Sequence, residues 1–86
     1  MTVHLTLIGK PGCHLCDDAR AVIASVIDDL PADAPPVAVA ERNILDDPAL
    51  YERYVEEIPV VLVEERVHTY WRVDPARLRT ALLEAR

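Results

Sequence analysis

The chain has 86 residues, 51% of them hydrophobic, which is enough for one packed core and short for two, so one domain spanning 1–86 is expected. A formal net charge of -6, from nine Lys and Arg against fifteen Asp and Glu, argues against a nucleic-acid or anionic-membrane surface, because such partners select clustered cations. Met1 to Ile8 is too short for the apolar part of a signal peptide and no basic stretch precedes it, while no later apolar run approaches the ~20 residues of a membrane span, so a cytoplasmic location is expected.

From Thr2 to Ile8, Val3, Leu5 and Leu7 alternate with His4, Thr6 and Ile8, and the end of the run is apolar on both sides, as in a largely buried strand. Gly9 to Gly12 supplies a turn. Beyond it Ala19, Val22, Ile23, Val26, Ile27 and Leu30 recur at spacings of three and four, which marks one apolar helix face that must end before Pro31. Val37 to Ile44 reads as a second strand, losing apolar character toward Glu41 and Arg42 as a strand near a sheet edge does.

Asp47-Pro48 and Asp74-Pro75 repeat one local device, a side-chain acceptor at the N-cap followed by a residue without an N–H at the first helical position. Two helices are predicted from them, one with Leu50, Tyr51, Tyr54 and Val55 on its stripe and the two tyrosines in the core or half-buried. The other carries Leu78, Ala81 and Leu82. Between them Pro59 introduces a strand over Val60 to Val63, Glu64 to Arg66 form a turn, and Val67 to Trp71 return. A β-α-β crossover joins parallel strands, and the tight turn after Val63 makes an antiparallel hairpin. The predicted architecture is α/β, β-α-β-α-β-β-α, with a four-stranded mixed sheet flanked by helices.

The segment KPGCHLCDD holds the solitary lysine, Lys10, both cysteines and one of three histidines. Cys13 falls at the start of the first helix and Cys16 one turn later, close enough to bridge. Unpaired N–H groups and the positive end of the helix dipole favour a thiolate at Cys13, which makes it the candidate nucleophile, with Cys16 to resolve the mixed disulfide. His14 adds local positive charge when protonated, and Asp17 and Asp18 oppose it. Three other readings stand beside this one. A structural disulfide would close a small loop inside a helix and constrain little. Structural zinc needs four ligands, and with one CxxC the remaining donors, His4, His14 and His68, lie on strands or between the cysteines. The pair could also be incidental in a protein that acts as an adaptor. Trp71 either flanks a substrate groove or packs over the sheet edge.

GKPGCHLC resembles the active-site turn of glutaredoxins, where a lysine three residues before the first cysteine precedes a CxxC that opens the first helix. The order of elements resembles the thioredoxin fold in its compact glutaredoxin form over essentially the whole chain, and RVDPARL is similar to the ending of a short bacterial glutaredoxin-like family. The resemblance implies a thiol-disulfide oxidoreductase of cell redox homeostasis, with Cys13 and Cys16 catalytic and a redox-active disulfide between them. It also implies a cis-proline at Ile58-Pro59, where the backbone before the proline pairs with an extended substrate. Lys10, His14, Ile58 and Pro59 are the candidate substrate-binding residues. The expected partners are a disulfide-containing protein or small-thiol substrate and an electron donor, either a reductase or glutathione. No cofactor is expected to bind tightly, glutathione being a co-substrate, and a monomer is expected. A glutaredoxin-like module carrying an iron-sulfur cluster or metal is the alternative. CHLC departs from the family's usual proline and tyrosine between the cysteines. Arg72-Val73 stands where the family has the Gly-Gly pair that admits glutathione, so glutathione is expected to be a poor partner.

Overall fold

The computed structural model describes residues 1–85. The elements run β1 (Val3–Gly9), α1 (His14–Asp28), β2 (Val37–Asn43), a 3-10 turn (Ile44–Asp46), α2 (Pro48–Tyr54), β3 (Val60–Val63), β4 (Arg66–Tyr70) and α3 (Pro75–Glu84). The strands form one sheet in the order β2-β1-β3-β4. β1 is parallel to β2 and antiparallel to β3, which is antiparallel to β4. The α/β architecture expected from the sequence is therefore the observed one.

Period-two alternation sends the side chains of β1 to two different layers. Val3, Leu5 and Leu7 pack with Val61 against Ala19, Ile23 and Val26 of α1 and Leu78 and Leu82 of α3. Ile8 points the other way and joins Val60, Ile44 and Tyr54. The apolar end of β1 is thus explained by burial on both faces, and it brings the chain to Gly9 as a fixed point on which the following loop is built.

Both Asp-Pro devices work as helix starts. The Asp47 carboxylate accepts from the N–H groups of Ala49 and Leu50 at 3.0 and 3.4 Å, and Asp74 accepts from Ala76 and Arg77 at 2.9 and 3.2 Å. Pro48 and Pro75 follow them at the first turn, where a missing N–H loses nothing.

The structure corrects three details. The β3-β4 turn is two residues, Glu64 and Glu65, rather than three, and both have positive φ, 52° and 67°. This is the twist a two-residue hairpin requires. Glutamates pay about 1–2 kcal/mol each for it, and two hydrogen bonds to His4 offset that: the Glu64 N–H donates to the His4 carbonyl at 2.8 Å, and the Glu64 carboxylate accepts from the His4 N–H at 3.1 Å. A register shift between Val61 and Leu62 takes up the residue that the shorter turn releases, so Val60 pairs with Tyr70, where β4 ends, and Trp71 lies outside the strand. Tyr51 is exposed, whereas Tyr54 is buried, since α2 has only seven residues and one face of it reaches the sheet.

His68 on β4 has a buried Nε2 without a hydrogen-bond partner. Burial pushes its pKa below the usual 6.5, and the nearby Arg77 adds to this while Asp74 opposes it. The folded state therefore takes up a proton less readily than the unfolded one. The neutral-His68 contribution to stability is present above about pH 6.5 and is lost as pH falls through the lower folded value. In urea melts, the stability of the parent relative to His68→Gln should therefore fall as pH is lowered from 7.5 to 5.5. Asp74→Ala should lower stability by about 1 kcal/mol at neutral pH, the usual cost of losing an N-cap, read as a lower urea midpoint with unchanged slope.

Candidate active site

Cys13 is the N-cap of α1. Its backbone is extended (φ -106°, ψ 112°), its carbonyl accepts from the Asp17 N–H at 3.0 Å, and its Sγ accepts from the Cys16 N–H at 3.1 Å. The sulfur thus occupies the place of the side-chain oxygen in an ordinary cap. Cys16, one turn on, brings its own sulfur to the same point, and the two form a disulfide across a Cα–Cα distance of 5.2 Å, within the range such bridges span. Their surroundings differ. Cys13 is half-buried at the surface, and Cys16 is 1% exposed.

Two glycines make this turn. Gly12 has φ +73°, a left-handed conformation that lets the loop reverse into the helix. At Gly9 the constraint is space: a Cβ there would stand 2.8 Å from Cys16 Sγ and 3.2 Å from its Cβ. Cys16 is buried because Gly9 leaves room for its sulfur. The β1–β3 register pairs Ile8 with Val60, and one further step along it sets Gly9 opposite Pro59. Pro59 is fully buried and follows a cis peptide bond from Ile58, itself half-buried.

Asp17 does not stand as a free negative charge beside Cys13. Arg20 holds it at 2.8 Å and also bridges to Glu41 on β2 at 2.8 Å, and the two carboxylates hold the guanidinium further toward its charged form. These pairs are exposed and contribute little to stability, but they compensate the acidic side chain in the first turn of α1. A cleft of about 390 Å³ opens here, lined by Gly9, Lys10, Cys16, Asp17, Arg20 and Glu41.

Of the residues singled out by sequence, Cys13 and Cys16 are bonded, Lys10 shares the cleft with Cys16, and Pro59 lies across from Gly9. His14 is exposed at the first position of α1. Asp74 is occupied as the cap of α3. Gly9 as a spacer for Cys16 and Arg20 as the partner of Asp17 were not singled out; a glycine four residues before a helix-opening cysteine was the available signal for the first. Among the described residues no group of three or more His, Cys, Asp or Glu could hold a metal ion.

The model of the glutaredoxin-like domain (DUF836) matches residues 4–83. This chain belongs to that family. Uncharacterized proteins of Mycobacterium tuberculosis and Mycobacterium bovis are each 32% identical to it over 73 residues, 85% of this chain and 75% of theirs. The X-ray structure of target protein XcR50 from X. campestris superposes with a TM-score of 0.74 at 32% identity, covering 95% of this chain and 99% of that one. A glutaredoxin-like domain with a CxxC pair at the first helix start fits a thiol-disulfide redox role.

Gly9→Ala tests the packing that buries the Cys16 sulfur. The added methyl has to displace Cys16, so stability should fall by about 1–3 kcal/mol, the cost of overfilling a packed site, measured by urea denaturation of the oxidised protein. Ser at the exposed Pro11, in the same loop, should change it by less than about 0.5 kcal/mol.

Proposed function

We propose that the protein is a thiol-disulfide oxidoreductase that reduces disulfides in protein or small-thiol substrates. The observation that carries this reading is the asymmetry of the pair: a surface sulfur that accepts the Cys16 N–H at a helix N-terminus, and a buried sulfur one turn behind it. In the reduced protein the same N–H and the helix dipole favour a thiolate at Cys13.

The cycle then balances as follows. The Cys13 thiolate attacks one sulfur of the substrate disulfide, a mixed disulfide forms, and the other substrate sulfur leaves as a thiolate and takes a proton. Cys16 loses its proton and attacks Cys13 Sγ, which closes the Cys13–Cys16 bond and releases the second substrate thiol. The substrate gains two electrons and the protein loses two. A dithiol reductase or two molecules of glutathione return them. Ile58 and Pro59 form the wall along which the substrate backbone lies, Lys10 supplies positive charge at the turn, and the exposed His14 stands beside it. The reading takes the protein to act as a cytoplasmic monomer without a resident cofactor.

Trp71, rather than Arg72-Val73, holds the glycine-like conformation beside the Pro59 wall, with φ 63°. A bulky side chain there leaves the backbone less approachable than a glycine pair does, which favours a dithiol donor over glutathione.

Cys13→Ser should abolish turnover, while Cys16→Ser should complete one attack and remain covalently joined to a protein substrate, seen as a mass increase removed by dithiothreitol. Full turnover by Cys13→Ser would refute the assignment. Coupled to glutathione and glutathione reductase, the parent protein should turn over at least about tenfold more slowly than a glutaredoxin with the Gly-Gly pair assayed beside it.

A further inference from the structure

Trp71 is the only tryptophan of the chain and is 53% exposed, yet it is held as firmly as a buried residue. Its N–H donates to the Pro59 carbonyl at 2.8 Å, its indole Nε1–H donates to the Glu56 carbonyl at 3.1 Å, and the Tyr70 ring lies 6.2 Å away, tilted by 50°. The Thr69 hydroxyl closes the segment behind it by donating to the Arg72 carbonyl at 3.1 Å. A tryptophan at positive φ costs about 1–3 kcal/mol and persists only where its surroundings impose it.

The position is set by the sheet. β1 ends at Gly9, β3 begins after Pro59, and β4 ends at Tyr70, so Cys16, Gly9, Pro59 and Trp71 follow one another across a single end of the sheet. The one polar atom of the indole is already bonded, so the ring face offered to solvent is apolar. Glu56 and Glu57 flank the segment that holds it, and the chain carries a net charge of -6; both disfavour an anionic ligand such as glutathione.

We infer that Trp71, with Tyr70 beside it, is a specificity-determining platform for an apolar side chain on an extended polypeptide whose cysteine meets Cys13. The inference rests on the oxidoreductase reading and names its substrate class, a protein disulfide flanked by an apolar residue. An immobilised aromatic side chain suits this role because little rotamer freedom is lost on binding.

Trp71 is its own reporter. Two peptides identical except for Leu or Gly beside a Ser in place of the cysteine are titrated into the parent protein and followed by tryptophan fluorescence. The Leu peptide should bind about three- to tenfold more tightly and shift the emission to the blue. With cysteine restored and oxidised, the Leu-to-Gly ratio of kcat/KM should show the same preference in the parent, be largely kept in Trp71→Phe and collapse to about one in Trp71→Gly, where glycine also suits the positive φ. Equal affinities, or a ratio unchanged in Trp71→Gly, would overturn the inference. Preferential binding of the Leu peptide without any turnover would instead uphold the platform and defeat the oxidoreductase reading.

Discussion

Everything at the candidate site depends on where α1 begins. Because Cys13 is the cap and not the first helical residue, its sulfur takes the place that a capping oxygen normally fills and accepts the N–H of Cys16. Had the helix started one residue earlier, the same spacing would have put both sulfurs in the first turn with no donor aimed at either. The local positive field of a helix N-terminus falls off within a turn, so this single residue of phase decides which sulfur lies closest to it.

The start of α1 is in turn fixed by the sheet. β1 is anchored by Val3, Leu5 and Leu7 on one face and Ile8 on the other, and it delivers Gly9 to the side of the buried Cys16 sulfur. The parallel neighbour β2 brings Glu41 to Arg20, which draws off the charge of Asp17. The antiparallel neighbour β3 brings Pro59, and β4 brings Trp71. Four strand ends thus converge on one turn, and packing far from the sulfurs sets the chemistry available to them.

Much of this was legible in the residues. The period-two run of β1, the three-and-four spacing of α1 and both Asp-Pro caps report local physics that tertiary structure did not override, and the CxxC placed both sulfurs by helix geometry alone. What was hidden depends on through-space contact or on backbone twist. Nothing in Glu64-Glu65 announces a two-residue turn, because turns of that kind usually carry Asn or Gly; the bonds to His4 that permit it are sixty residues away in sequence. The register shift between Val61 and Leu62 that compensates the shorter turn is equally silent in the sequence, and so is the positive φ of Trp71 just past the end of β4. The bridge from Arg20 to Glu41 and the contact of Gly9 with Cys16 are likewise invisible until the strands are in register.

The claim that α1 makes Cys13 and Cys16 chemically unequal is tested most directly on the reduced protein. Alkylation of each thiol by iodoacetamide, resolved by mass spectrometry across pH 4 to 10, gives both titration curves at once. Cys13 should react first, with a midpoint below the ~8.5 of a free cysteine, while Cys16 stays protected until the protein is unfolded. Equal rates for the two thiols near neutral pH, or a midpoint for Cys13 at or above that of free cysteine, would contradict the account.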